Sequence, residues 1–141
     1  MLVNFPLLVV PLIVYNLVAF SMADPGLGPQ AAWAEPVTQV TMVSGIEWTL
    51  TMGDLLLMAS LVMLFIEVLK ATRTGASSIV DHLLSTAVFV ACLVEFLLVE
   101  QAATSTFFLL MIMTLFDVMA GFSVTIRAAR RDFGVGPDGG F

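Results

Sequence analysis

The sequence predicts an all-α membrane protein: a four-transmembrane-helix antiparallel bundle with a short β-hairpin in the outer loop between the first two helices. Three observations predict it. Of the 141 residues, 60% are hydrophobic and only 11% charged, against roughly half and a quarter in a soluble domain. The apolar residues gather into runs, and a run of about 20 residues crosses a hydrocarbon core of roughly 30 Å. The charged residues fall between those runs, with the basic ones confined to alternate connections.

The first run, Leu2–Met22, is long enough to span, and Pro6 and Pro11 should kink it near its cytoplasmic half. Ser21-Met22-Ala23 before Asp24 has the small-x-small spacing of a signal-peptidase site. No Lys or Arg precedes the apolar region, whereas a cleavable signal has a positive n-region. The segment is therefore expected to be retained as the first helix. Leu55–Leu69 covers about 22 Å at the helical rise of roughly 1.5 Å per residue. It lengthens to a span if it runs from Gly53 to Arg73, with Lys70 and Arg73 snorkelling to the interface. Ile79–Val99 and Ser105–Ile126 qualify outright. The chain thus divides into a single membrane domain, 1–133, with spans at about 2–22, 53–73, 79–100 and 105–127, and a Gly-rich tail, 134–141, expected to be flexible and cytoplasmic.

The basic residues set the orientation. Lys70 and Arg73 lie between spans two and three, and Arg127, Arg130 and Arg131 follow span four. Segments 23–54 and 100–106 hold no Lys or Arg. Four spans with both termini in the cytoplasm put all five basic residues inside, as the positive-inside rule requires. The loop 23–54 then faces outward, and the compact topology suits a bacterial inner (plasma) membrane, where it would be periplasmic.

That loop opens with a Pro/Gly-rich turn. Further on, Ile46-Glu47-Trp48-Thr49-Leu50-Thr51-Met52 alternates apolar and polar residues, the period of a half-buried strand. Val37–Val43 is rich in β-branched residues, and Ser44-Gly45 between the two supplies a turn. A hairpin over 37–52 follows, with Ile46, Trp48, Leu50 and Met52 facing the bundle or the membrane surface. An isolated hairpin is marginal in water, so it needs something to lean on. Trp33, in the same loop, joins these residues as an interface candidate. Asp54 is placed to cap the second membrane helix, and Ser78 with Asp81 resembles a capping box for the third.

Ionisable residues inside a membrane are costly and mark candidate sites. Counted from the outer ends of their helices, Glu95 lies about 9 Å deep, Asp117 about 16 Å and Glu67 about 21 Å, a ladder across the bilayer. His82, Ser85, Cys92 and Glu95 share one arc of span three, and Thr114, Asp117, Ala120, Gly121 and Thr125 one of span four. Carboxyls withdrawn from water can exchange protons near neutral pH. The alternative is hydrogen bonding between helices, worth about 1 kcal/mol or less. For Glu67 an ion pair with Lys70 suffices; Asp117, with no basic residue at its depth, could instead meet a cation on another protein.

Other chemistry is excluded. With 5 basic against 11 acidic residues, the chain is no basic nucleic-acid binder. A lone cysteine, Cys92, rules out a disulfide framework and a Cys-rich metal site, and a lone histidine, His82, cannot give a bis-His haem. No Walker loop, dinucleotide turn, His-Glu-x-x-His or Ser/His/Asp set occurs. Neither an enzyme activity nor a metal or cofactor is expected. Two functions remain: a non-enzymatic accessory or assembly subunit of a larger inner-membrane complex, or a homo-oligomeric proton or cation conductor using Asp117, Glu95 and Glu67. The expected partners are the lipid bilayer and either another membrane protein or further copies of this chain.

Overall fold

Helices α1 (Val9–Ser21), α2 (Met52–Ala71), α3 (Ser77–Leu98) and α4 (Ser105–Phe133) enclose the interior, and strands β1 (Pro36–Thr41) and β2 (Glu47–Thr51) form a hairpin between α1 and α2. This computed structural model describes residues 5–22, 26–72 and 77–133, with the main chain alone at 77–79, 125 and 127–133. Arg73 and the tail 134–141 lie outside the described residues, as do the side chains of Ser78, Thr125, Arg127, Arg130 and Arg131.

The helices alternate in direction. Phe5 meets Lys70 near the C-terminal end of α2, while Ala19 joins the cluster of Trp33 and Leu56 near its N-terminal end, so α1 and α2 are antiparallel. Gly53 at the start of α2 lies against Thr106 at the start of α4, so these two run together. Gly121 late in α4 abuts His82 early in α3, so those two run oppositely. α4 packs along both α2 and α3, and α1 rests on the assembly more lightly.

Helices α2, α3 and α4 each contain a stretch long and apolar enough to cross a membrane. α1 begins at Val9, later than the expected 2–22 run. Pro6 lies before the helix, where its carbonyl accepts the Val9 N–H at 3.2 Å. Pro11 falls in the first turn, where a missing N–H costs nothing. α2 begins with a capping box: Thr51 Oγ1 accepts the Asp54 N–H at 3.2 Å, and Asp54 Oδ2 accepts the Thr51 N–H at 2.9 Å. Asp54 therefore supports the cap while Thr51 occupies it. Thr104 opens α4 in the same manner, its hydroxyl accepting the Phe107 N–H at 3.1 Å. α4 continues past the expected end at 127 to Phe133.

The hairpin is antiparallel, with Val40 opposite Trp48 and Thr41 opposite Glu47, and a bulge at Val37. Its turn closes through the Gly45 N–H to the Met42 carbonyl at 2.8 Å, with Gly45 at φ 82°, a left-handed conformation that glycine adopts without strain. Pairing places Thr38, Val40, Met42, Ile46, Trp48 and Leu50 on one face and Gln39, Thr41, Glu47 and Thr49 on the other. Met52 does not extend the strand; it is the first residue of α2.

Candidate functional site

The bundle interior carries polar groups in two separate places. At the end nearer the hairpin, the Tyr15 hydroxyl donates to the Gln101 carbonyl at 2.8 Å and lies 2.6 Å from the Thr104 hydroxyl. If Thr104 donates to Tyr15, its oxygen still accepts the Phe107 N–H. The Trp33 ring stacks on Tyr15 at 4.5 Å and 10° and is 2% exposed. Trp33 is thus packed in the core of this chain, where the sequence offered it as an interface candidate. The short helical turn Ala31–Ala34 carries its ring inward beneath the hairpin.

At the other end a denser group forms. Glu67 of α2 is 5% exposed and pairs with Lys70 at 3.0 Å. The same lysine donates to the Phe5 carbonyl at 2.9 Å, and the Leu7 N–H approaches Glu67 Oε2 at 3.4 Å. Lys70 thus turns onto the segment leading into α1. Asp117 of α4 is 4% exposed. Its carboxyl faces the Ser85 hydroxyl of α3 and lies within electrostatic reach of Lys70, His82 and Glu67. His82 is buried, its ring against Gly121 and 6.3 Å from that of Phe122.

Asp117 therefore lies within electrostatic reach of two basic residues of its own chain, Lys70 and His82, which its own helix did not reveal. Sequence spacing along one helix cannot show that Lys70 and His82, on two other helices, converge on α4. Glu67 and Asp117 belong to one cluster, whereas Glu95 stands apart, half-buried and facing Asn16. Between the two places the hydroxyls turn back on their own helices: Ser60 donates to the Leu56 carbonyl at 2.7 Å and Thr114 to the Met111 carbonyl at 2.7 Å. Cys92 is fully buried and faces Thr114. Among the described residues, no group of three or more His, Cys, Asp or Glu side chains is placed to hold a metal ion.

The hairpin is the second candidate. Ile46 and Trp48 do share a face, but it does not pack on the bundle: Ile46 is 69% and Trp48 46% exposed, and Val40 and Met42 beside them are exposed as well. Leu50, nearer α2, is half-buried.

Compared with protein families, curated proteins and solved structures, the chain matches none.

Proposed function

We propose that this chain is a small integral membrane protein serving as a non-enzymatic accessory or assembly subunit of a larger complex in a bacterial inner membrane. Membrane insertion is supported by the helix surfaces. Leu61, Val62 and Phe65 on α2, Leu97 and Leu98 on α3, and Phe116 and Met119 on α4 all point away from the protein. An apolar surface of that extent is tolerable in lipid and not in water. The four-span reading is supported by α1, which runs beside α2 from the Lys70 end to the Trp33 end although its helix is short. Both termini are then cytoplasmic by the distribution of the five basic residues.

The observation that carries the subunit reading is the uncovered apolar face of the hairpin, Val40, Met42, Ile46 and Trp48. A single hairpin is barely stable by itself, and here its apolar face lacks cover from the described residues of its own bundle. The test is native mass spectrometry of the particle extracted from its host in mild detergent. The expected result is a partner in fixed stoichiometry that Trp48→Ser removes. A lone monomer or a homo-oligomer unaffected by that change would reject the reading.

The gathering of Glu67, Asp117, Ser85 and His82 favours a second reading, proton or cation conduction by a homo-oligomer. Asp117→Asn keeps the hydrogen-bonding shape and removes the titratable group. If the chain conducts, liposome flux is abolished in that variant while assembly persists.

A further inference from the structure

Resting on the subunit reading, we propose that the hairpin receives, along the outer edge of β1, an extended segment of an outer-face protein in which apolar residues alternate with lysine or arginine. β1 is exposed along its whole length and, among the described residues, pairs only with β2, so its outer edge presents main-chain groups to which another strand can add. A strand added there continues both faces of the hairpin. Its apolar side chains extend the Val40, Met42, Ile46 and Trp48 face. Its alternate side chains fall beside Gln39 and Thr41, the side on which Glu47 lies.

Charge selects what those alternate side chains are. Glu35 at the root of β1, Glu47 on β2 and Glu100 in the turn before α4 are all exposed, and segments 23–54 and 100–106 contain no Lys or Arg. This end of the molecule is uniformly acidic and is complemented by a cationic partner. A second copy would bring the same acids against each other, and an anionic lipid surface would be repelled in the same way. The strand is short, about 20 Å for six residues, too short to bury by itself the roughly 800 Å² per partner of a standard interface. Binding through it alone is expected to be micromolar and sensitive to salt.

The experiment uses the full chain in nanodiscs of zwitterionic lipid and two fluorescein-labelled seven-residue peptides (one alternating Lys with Val, the other Glu with Val), read by anisotropy. The Lys–Val peptide is expected to bind filled and not empty discs, and the Glu–Val peptide neither. Glu47→Lys should weaken binding about tenfold. Trp48→Ser should weaken it at least as much, and raising salt to about 1 M, where charges are screened beyond about 3 Å, should abolish it. Both side chains are exposed, so thermal unfolding of the bundle should be unchanged in either variant. No binding, equal binding of the two peptides, or indifference to Glu47→Lys overturns the proposal. Equal uptake by empty discs assigns the effect to lipid, and a hairpin-dependent homodimer in native mass spectrometry assigns the face to a second copy; either also overturns it. Failure at the two levels is distinguishable. A native partner lost with Trp48→Ser but retained with Glu47→Lys and in high salt rejects the cationic strand and keeps the subunit reading. The absence of any native partner rejects the subunit reading itself.

Discussion

Glu67 and Lys70, one turn apart on α2, form a 3.0 Å ion pair that also holds the main chain ahead of α1 through the Phe5 carbonyl and the Leu7 N–H. The pair joins two helices although both residues belong to one. Its glutamate side chain is 6% and its lysine 17% exposed, so neither is well solvated.

Removing one partner leaves the other buried and unpaired. Lys70→Met is expected to destabilise the bundle by about 2–3 kcal/mol, below the range of roughly 3–5 kcal/mol for fully buried pairs because Lys70 retains some contact with water. The double variant Lys70→Met with Glu67→Gln should recover most of that loss, since no uncompensated charge remains. Thermal unfolding of the two single variants and the double gives the coupling. Labelling a cysteine introduced at Phe5 should be faster in Lys70→Met than in the parent cysteine variant, as the latch on its carbonyl is gone.

Gly121 and His82 make the next prediction. A Cβ on Gly121 would fall on the His82 imidazole, 2.7 Å from Cε1, with ring atoms as its three nearest neighbours. In an exposed helix, glycine to alanine would stabilise by up to about 1 kcal/mol. Here overpacking wins, and Gly121→Ala is expected to cost about 1–3 kcal/mol net. Combining it with His82→Ala should relieve the clash, so the second substitution should be less harmful in the Gly121→Ala background than alone. Unfolding temperatures of the four proteins decide this. Strict additivity would show that the ring is not the obstacle.

One-dimensional patterns carry the elements of this fold better than the contacts between them. The positions of α2, α3 and α4 are legible because long apolar runs end at charged or turn residues. The hairpin is legible from the strict alternation of 46–52 and from Ser44-Gly45. Trp33 is not, because a tryptophan in a Pro/Gly-rich loop has no period to reveal which way it points. The cluster at Asp117 is legible only by half. Depth counting puts Asp117 and Glu67 at neighbouring levels, but lateral packing of α2, α3 and α4 decides that Lys70, Ser85 and His82 come to the same place. The start of α1 is misplaced because Pro6 opens a turn that leads into the helix at Val9.

The capping box at α2 links hairpin to bundle. Asp54 Oδ2 accepts from both the Thr51 N–H and the Thr51 hydroxyl, at 2.9 and 2.8 Å. Asp54→Ala removes both bonds and is expected to cost about 0.5–2 kcal/mol. The effect should be local: amide exchange should quicken at Thr51 and the first turn of α2 while the centre of the helix keeps its protection. Uniform loss of protection along α2 would contradict a capping role.

The two tryptophans should separate stability from association. Trp33 is buried against Tyr15 and within reach of the start of α2, where its carbonyl lies 3.1 Å from where a Gly53 Cβ would stand. Trp33→Ala opens a cavity in the cluster of Tyr15, Leu56 and Phe107 and is expected to cost about 3–5 kcal/mol. Trp33→Phe keeps an aromatic face on Tyr15 and should cost roughly half as much or less. Trp48, half-exposed on the hairpin, has little to lose in the isolated chain, and Trp48→Ser should move stability by no more than about 0.5 kcal/mol. Association reverses the order. Trp48→Ser should remove a partner from the native particle, whereas Trp33→Phe, provided the bundle remains folded, should leave it in place. Measuring unfolding and particle mass on the same three preparations tests the division. Were Trp48→Ser to unfold the bundle, its exposed face would be part of the core and the docking role would be lost.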